Sequence, residues 1–562
     1  MPLAWLATGF LVFLIVGYRT YGGWVARQLA PDDTHETPAR RLDDGVDFVP
    51  TRPFYLFAQH FSAIAAAGPI AGPILACQTF GWLPCALWVG LGVILIGAVH
   101  DFTTLLASVR HDARSIAEIA REHLGAGAGR SLMLFIWIAL VYVAVAFADI
   151  TAASFVVGTE ELAGAKGFHP GGAVASASVM YLALAVVMGI VQRLWRPPLW
   201  LLTVLFVPAT FAVAWLGTDV STALLLDRRT WVVLILGYCA VASLLPMWML
   251  LQPRGYLGGF VLFSALALGV VGVFFGGYEI RQPAFRTWDA GGFTGTMYPF
   301  LFVTIACGAC SGFHGLVCSG TTSKQIDRES HTRPVGFGAM LAEGFVALIA
   351  LVTIMIAGQD ELKGLAPGTI YGNGIGRFMT LLIGKSHLQF AVTFGALAFS
   401  TFVFDTLDVA TRLGRYLLQE LFGWKGRAGA VGATVITVGA PLGLLLSAGE
   451  GSWMKYWTLF GASNQLLAAL TLLAVTVWLR RTGRRSTFTA LPMLFVLVTT
   501  LTALGKLAIS NFRASHGGDV ALVNALAASA LILLALYLLV AALAAARRPS
   551  PLLARPAPSP EG

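Results

Sequence analysis

Charged residues are scarce in this chain of 562 residues. They make up 12% of it, about half of the roughly 25% found in an average soluble domain. Hydrophobic residues make up 57%, and the mean hydropathy is +0.76. A chain of this composition has too few polar groups to cover a soluble surface. The composition therefore predicts an integral membrane protein.

Cysteine is also scarce, and its placement argues against a disulfide framework. The six cysteines lie in or beside apolar runs, and no pair falls in a segment predicted to face the outside. Cys307 and Cys310 have the C-x-x-C spacing of a redox or metal pair. On one membrane helix, however, small residues three apart are typical of packing positions.

Sequence motifs for ATP hydrolysis and for zinc hydrolases are missing. The sequence contains neither G-x-x-x-x-G-K-[ST] nor H-E-x-x-H, which argues against ATP-driven transport and against a zinc protease. A membrane-embedded enzyme or metal site built from His60, His100, Asp101 and His314 is an alternative, as is a sensor. No soluble domain is available for either role, so we expect neither enzymatic activity nor a metal or other cofactor.

Apolar runs of membrane-spanning length follow one another along the chain. About fifteen runs of about 20 residues are present. They begin near Leu3, Phe54, Leu83, Ser131, Ala173, Leu199, Trp231, Tyr256, Met297, Gly336, Leu388, Ala428, Tyr456, Leu491 and Ala521. The first run lacks a basic start and a small-residue cleavage site, so we predict a retained helix and not a signal peptide.

Basic residues are concentrated in alternate connections between these runs. With the N-terminus outside, the inner connections and the tail hold about 26 of the Lys and Arg residues, of which there are 37. This predicts a multi-pass protein of a bacterial inner membrane with a cytoplasmic C-terminus. Inner loops facing anionic lipid account for the net charge of +9 without a nucleic acid partner.

One inner connection, residues 110–125, is predicted to hold an amphipathic surface helix that starts with a Ser115-x-x-Glu118 capping box.

The run QHFSAIAAAGPIAGPILACQ, residues 59–78, carries two Gly-Pro pairs near its centre. Each proline lacks an N–H and clashes with the carbonyl four residues back, so the helix should be interrupted here. At membrane depth an interruption is tolerated only inside protein or beside a cavity, which makes it a pointer to a transporter's binding site. The alternative is a kinked helix with glycines for close packing. The backbone groups predicted to meet an anionic substrate belong to Gly68, Pro69, Ile70, Ala71 and Gly72, with free N–H groups from Ile70 to Gly72.

An inverted repeat would place a second interrupted helix five segments later. Residues 236–257 are predicted to run the opposite way and contain Pro246, with Tyr238 and Ser243 at mid-depth as further substrate contacts. The predicted organisation is an N-terminal helix and loop at 1–52, a core at 53–408 with repeats at about 53–216 and 231–408, peripheral helices at 409–545 and a disordered tail at 546–562.

Ionisable residues inside membrane helices are costly and point to function. His60, His100, Asp101 and His314 are candidates for a proton relay, because histidine changes charge near physiological pH; interhelical hydrogen bonding is the alternative. The hydroxyls of Ser319, Thr321 and Thr322 either bind a cation such as sodium or cap a helix. Asn464 and Gln465 either contact substrate or bridge helices.

Several long stretches resemble the carbon starvation protein A (CstA) family. They are DGVDFVPTRPFYLFAQHFSAIAAAGPIAGPILACQ (44–78), GAVHDFTTLLASVRHDARSIAEI (97–119), YCAVASLLPMWMLLQPRGYL (238–257), FLFVTIACGACSGFHGLVCSGTTSKQI (300–326), DTLDVATRLGRYLLQEL (405–421) and LFGASNQLLAAL (459–470). The resemblance covers most of residues 40–480. It implies a LeuT-type core of the amino acid–polyamine–organocation superfamily, with peptide transport or proton-coupled pyruvate uptake. Gln59 and His100 depart from the family pattern.

These observations predict an all-α integral membrane protein with about 15 transmembrane helices, a LeuT-like 5+5 inverted-repeat core and extra peripheral helices. Its expected function is pyruvate import by proton symport during carbon starvation. The pyruvate carboxylate would meet the helix-end N–H groups, with Tyr238 and Ser311 nearby. The alternative substrate is a short peptide, whose ammonium group would need a partner such as Asp149; the alternative coupling ion is sodium.

Overall fold

The computed structural model describes residues 2–45, 47–65, 67–156, 167–292, 295–448, 453–516 and 519–547. The regular structure of these residues is helical. In the first half of the chain the main helices are α1 (Leu3–Leu29), α2 (Pro53–Ile64), α3 (Gly68–Phe80), α4 (Trp82–Arg110), α5 (Ile116–Leu124), α6 (Ala126–Phe155), α7 (Pro170–Trp195), α8 (Leu199–Asp219), α9 (Arg228–Leu244) and α10 (Leu251–Phe275). In the second half they are α11 (Met297–Thr304), α12 (Gly312–Gly320), α13 (Glu329–Met355), α14 (Pro367–Ile383), α15 (Leu388–Phe422), α16 (Gly426–Ser447), α17 (Tyr456–Arg481), α18 (Thr487–Ala514) and α19 (Val520–Ala546). Most of the predicted tail lies outside the described residues.

Within the part of the chain that the structure describes, twelve helices are long and apolar enough to cross a membrane, and counting the bent pair α2–α3 as one span gives 13. The sequence predicted about 15. The difference lies in two segments: α9, at 17 residues, is shorter than any of the twelve, and the run from Met297 is divided into α11 and α12. A further 17-residue helix, α14, was not predicted, because its glycine-rich start GTIYGNGIG interrupts the apolar pattern.

The second interruption does not lie at Pro246. Helix α9 ends at Leu244, and Leu245 is extended at φ −71° and ψ 151°, as the residue before a proline prefers. Pro246 therefore stands in the connection to α10 and ends a helix instead of breaking one. The second interrupted segment is α11–α12, where small residues from Ala306 to Gly312 replace the proline that the prediction relied on.

Burial separates inner helices from outer ones. The most apolar windows of α13, α15 and α17 are 83%, 89% and 100% buried, whereas those of α1, α8 and α19 are 28% buried. The inner position of α17 differs from the expectation that all helices after residue 408 are peripheral. Helix α17 packs against α11, α12 and α6, and it reaches the second interruption.

The predicted capping box begins α5. The Ser115 side chain accepts the N–H of Glu118 at 3.3 Å, and the Glu118 carboxylate accepts the N–H of Ser115 at 2.9 Å. The helix packs on α6 and α17. The N–H groups of Ser115 and Glu118, which have no partner within the helix, are thus both hydrogen-bonded.

Candidate functional site

The first interruption separates α2 from α3 by a bend of 47°. Helix α3 begins at Gly68, one turn earlier than a break centred between the two Gly-Pro pairs would place it. Ile70 and Ala71 donate their N–H groups to Ala67 O at 3.2 and 2.9 Å, so these two N–H groups are not free as the sequence predicted. Because Pro69 has no N–H, Gly68 carries the helix-terminal donor nearest the bend.

The second interruption is stabilised by side chains from α17. A helix end inside protein needs partners for its unpaired carbonyls and N–H groups. Three hydrogen bonds supply them: Gln465 Nε2 to Phe302 O (3.0 Å), Trp457 Nε1 to Thr304 O (3.1 Å) and Phe313 N to Asn464 Oδ1 (2.9 Å). The Asn464 amide also reaches Ser311 Oγ at 3.0 Å and Cys307 Sγ at 3.2 Å. Of the two roles predicted for Asn464 and Gln465, the structure shows the bridging of helices.

The two interruptions touch each other. Helix α3 lies beside α11 and α2 lies beside α12, so each half-helix packs on the opposite half of the other segment. A Cβ on Gly68 would lie 2.4 Å from Cys307 Sγ, and one on Gly72 would lie 2.6 Å from Thr304 O. Only glycine permits this approach. The glycines that the sequence singled out therefore serve close contact between the two segments.

A small cavity lies where the interruptions meet. Gly68 and Pro69 line it from the first interruption, and its polar side chains are Cys307, Ser311, His314, Thr406 and Asn464. Its volume is about 20 Å³, which is roughly the room that one water molecule needs. The predicted substrate contacts Gly68, Pro69 and Ser311 thus share one cavity wall, and Ile70, Ala71 and Gly72 lie buried further along α3. The cavity would have to widen to admit a three-carbon acid.

Tyr238 and Ser243 do not reach this cavity. Both are on α9, and the Tyr238 hydroxyl donates to Asp408 Oδ2 at 2.7 Å. The same carboxylate lies 3.1 Å from the fully buried Arg254, whose guanidinium also pairs with Asp405 at 2.5 Å. In the structure Tyr238 therefore belongs to a buried ionic cluster between α9, α10 and α15, and its predicted contact with substrate stays a prediction.

His314 joins the cavity to a chain of buried ionisable groups. Its Nδ1 lies 2.9 Å from Asp101 Oδ2, and its Nε2 lies 3.2 Å from Glu343 Oε2. Asp101 Oδ1 in turn bonds His100 Nδ1 at 2.7 Å. All four side chains are at most 1% exposed. Three of the four predicted relay residues are therefore linked by hydrogen bonds in the order His100–Asp101–His314. Glu343 is the fourth member of this row of buried ionisable groups.

Sequence reasoning missed Glu343. It lies in the run GAMLAEGFVALIALV of α13, where it is the one carboxylate among apolar residues. An acidic residue inside a membrane helix carries the same functional signal that selected Asp101. The signal was present, and the residue was overlooked because it has no polar neighbour in the sequence.

His60 lies outside this row of buried ionisable groups. Its Nδ1 bonds Thr322 Oγ1 at 2.8 Å, and its Nε2 lies 3.9 Å from Cys318 Sγ. His60, Asp101 and Cys318 place one ligand atom each within 4.8 Å of one another. This trio has donor types that suit zinc or another borderline metal, although the chain of ionisable groups is complete without His60.

The three hydroxyl residues do not converge on one point. The Ser319 hydroxyl donates to Gly315 O at 2.7 Å and accepts the N–H of Ile116 at 3.2 Å. Thr321 donates to the carbonyl of its own helix four residues back, and Thr322 contacts His60. Their contacts are those of helix-capping and interhelical residues. Asp149, the expected partner of a peptide ammonium group, forms an ion pair with Arg228.

Known proteins are similar to this chain over most of its length. The family model described as carbon starvation protein CstA matches residues 3–372 and 362–503. The chain belongs to the carbon starvation protein CstA family. This result confirms the resemblance carried by the sequence stretches. Together with the twelve apolar spans, it makes this CstA-family protein a multi-pass membrane transporter.

Relatives within the CstA family are named either peptide transporter or pyruvate/proton symporter. A peptide transporter CstA of Mycobacterium tuberculosis is 32% identical over 89% of this chain and 74% of its own length, and one of Bacillus subtilis is 34% identical over 89% and 90%. The pyruvate/proton symporter BtsT of Escherichia coli is 31% identical over 89% and 81%. Among solved structures, a mutant manganese transporter of Eremococcus coleocola covers 90% of this chain and 99% of its own at 13% identity and a TM-score of 0.45, a similarity too low to support an argument.

Proposed function

We propose that this CstA-family protein imports pyruvate together with protons across the cytoplasmic membrane. One observation carries the proposal: His314 lines the cavity between the two interruptions and also contacts two buried carboxylates. A group that faces the substrate space on one side and proton-binding carboxylates on the other can couple the two. The relative named pyruvate/proton symporter supports the same pairing of substrate and ion.

The substrate carboxylate would bind between the interruptions. The Gly68 N–H and the Ser311 hydroxyl are donors beside the cavity, and the positive end of the α3 dipole points the same way. Among the described residues, no arginine or lysine lines the cavity, which suits a small acid with a single negative charge. Because the cavity is small, we take this conformation as one in which the site is closed.

Proton coupling follows from the charges around His314. Since Nδ1 is hydrogen-bonded to Asp101 and Nε2 lies 3.2 Å from a Glu343 oxygen, we take His314 to be an imidazolium. With Asp101 and Glu343 ionised, the three groups together carry one negative charge, which repels an anionic substrate in the adjacent cavity. One proton on Glu343 removes that charge. Substrate and proton therefore favour each other's binding, which is the thermodynamic requirement for symport.

The packing also supports an inverted-repeat core of LeuT type, with a second repeat that starts later than the sequence predicted. The helices that follow the two interruptions, α4 and α13, each contain a stretch of π-helix, Val93–Gly97 and Arg333–Gly338. We propose that α2–α4 corresponds to α11–α13 and that α17 completes the core. The N-terminus would lie outside and the C-terminus in the cytoplasm, in agreement with the positive-inside rule.

Short-peptide uptake is the second candidate, because the relatives named peptide transporter share the same family and coverage. A peptide carries an ammonium group that needs an anionic partner. Asp149 is already paired with Arg228, which favours pyruvate over a peptide.

Uptake of labelled pyruvate into proteoliposomes with an imposed pH gradient tests the proposal. We expect accumulation when the lumen is alkaline, no stimulation by a sodium gradient, and little competition from unlabelled di- and tripeptides. Absence of pyruvate uptake, or uptake driven by sodium alone, would contradict it. Strong inhibition by peptides at low concentration would favour the second candidate.

A further inference from the structure

Two histidines and a glutamate come together at the end of α4, away from the ionisable chain. His111 directly follows α4, and Glu122 and His123 lie in the last turn of α5. The Nε2 atoms of the two histidines are 2.8 Å apart, and a Glu122 oxygen lies within 4.8 Å of both. The two imidazoles are half-buried and the carboxylate is exposed. Neither the family comparison nor the proposed transport mechanism assigns these residues a role.

The hydrogen bonds of His111 orient it as a metal ligand. Its Nδ1 lies 2.6 Å from Ala107 O, so Nδ1 carries the hydrogen and donates it. The lone pair is then on Nε2, which faces His123. An imidazole whose far nitrogen donates to a backbone carbonyl is the arrangement found behind metal-ligating histidines.

His123 can supply a second lone pair when an ion replaces its hydrogen bond to His111. Its Nε2 lies 2.8 Å from His111 Nε2, and because that atom carries a lone pair, His123 Nε2 donates to it. On metal binding the hydrogen would move to Nδ1 of the same ring. Ligands of a zinc ion must be deprotonated before they bind it.

Glu122 provides an anionic third ligand. Its Oε2 accepts from Arg114 at 3.0 Å, and one of its oxygens lies within 4.8 Å of a ring nitrogen of each histidine. Two ligands about 2.1 Å from a tetrahedral zinc ion lie about 3.4 Å apart. The two Nε2 atoms, which are 2.8 Å apart, would therefore separate by about 0.6 Å, a movement that half-buried side chains permit.

We propose that His111, His123 and Glu122 form a zinc site with a fourth position for water. Two neutral imidazoles and one carboxylate are a donor set that zinc uses in proteins. The bound ion would fasten the last turn of α5 to the end of α4. Since the N–H of Ile116, the first residue of α5, donates to Ser319 on α12, zinc would also restrain the second interrupted segment. The site thus offers a means for a metal to regulate the transporter.

Zinc binding to the purified full-length protein tests this site. After chelator treatment, zinc chloride should bind with a stoichiometry of one, and it should raise the melting temperature. His111→Gln or His123→Gln should weaken binding at least tenfold and abolish the thermal shift, and Glu122→Gln should weaken binding less. His387→Gln, which changes an exposed histidine near Trp215, is the matched control and should bind like the parent protein.

Two further measurements keep the proposal falsifiable if a variant folds poorly. Cobalt chloride bound to the parent protein should give the visible absorption of a tetrahedral site, and zinc should displace it. Cys318→Ser removes one member of the buried His60–Asp101–Cys318 trio and should leave zinc binding unchanged. The proposal is overturned if the parent protein binds no zinc, if His123→Gln binds as the parent does, or if Cys318→Ser is the variant that loses the ion.

Discussion

At the scale of single residues, the function proposed here depends on how one histidine is held. His314 has a carboxylate on each ring nitrogen, at 2.9 Å from Asp101 and 3.2 Å from Glu343. Removing either carboxylate changes the net charge beside the cavity without changing the cavity wall, because neither Asp101 nor Glu343 lines it. The charge and the shape of the site can therefore be altered separately.

Glu343→Gln should uncouple pyruvate from protons. The amide has nearly the shape of the protonated carboxyl group but cannot release or take up a proton. With an imposed gradient of one pH unit, coupling to a single proton gives up to about tenfold accumulation; the variant should give none, while exchange of labelled for unlabelled pyruvate continues. The measurement is uptake and exchange in the same proteoliposomes.

A matched control for this variant is Glu361→Gln. Glu361 is an exposed carboxylate that pairs with Arg281 and Arg377, and it lies outside the ionisable chain. Its substitution should leave accumulation unchanged. If Glu343→Gln accumulates pyruvate as the parent does, Glu343 is not the coupling group.

At the scale of helices, the site depends on the contact between two interrupted segments. Gly68 faces Cys307, and Gly72 faces Thr304 O, so the spacing of the segments is set at these points. Hydrogen bonds from α17 supply partners for the backbone groups that the second interruption leaves without helical bonds. Substitutions at either feature should therefore change stability or transport.

Gly68→Ala should impair transport, and removal of the opposing side chain should restore it. The new Cβ would lie 2.4 Å from Cys307 Sγ and 2.5 Å from its Cβ, closer than any unstrained contact. Cys307→Gly in the same chain removes both atoms. We expect pyruvate uptake to fall at least tenfold in Gly68→Ala and to recover in the double variant.

Gly439→Ala is the control, since nothing lies within 4 Å of a Cβ at that helical position on α16. It should transport normally. Equal loss in Gly68→Ala and in the double variant would show that the glycine acts through something other than its contact with Cys307.

Asn464→Ala should destabilise the protein by about 1–3 kcal/mol, the cost of leaving a buried N–H without a partner. The unpaired group would be the N–H of Phe313, which Asn464 Oδ1 now accepts at 2.9 Å. Equilibrium denaturation in detergent measures the change. Asn511→Ala is the matched control, because the Asn511 amide donates to a carbonyl of its own helix, Leu507 O, which already has a helical partner. A loss of stability as large in this variant would contradict the bridging role of Asn464.

Sequence reasoning placed the first interruption within one helical turn of its position before Gly68, because proline and glycine act locally and can be read from four residues. It misplaced the second one at Pro246, since a proline ends a helix as readily as it breaks one. The true second interruption has no proline. The backbone groups that it leaves without helical partners bond to Asn464, Gln465 and Trp457, which lie 151 to 163 residues later in the chain, and such a distant cause leaves no local signal.

At the scale of the whole molecule, composition and run length were sufficient to predict a helical membrane protein, and the motif stretches were sufficient to identify its family. The apolar runs overestimated the number of regular spans, because hydropathy does not distinguish a continuous helix from the two short helices α11 and α12. Hydropathy also gave no indication that α17, late in the chain, is buried on all sides. Which helices form the core depends on packing between distant segments.

In the proposed mechanism, pyruvate and a proton cross together through the site at His314. The most direct test is to impose an inward pyruvate gradient, without a pH gradient, on proteoliposomes that contain an impermeant pH-sensitive dye. We predict that the lumen acidifies faster than in empty liposomes and that Glu343→Gln abolishes the difference. Pyruvate entry without acidification beyond that of empty liposomes would contradict symport of pyruvate with a proton.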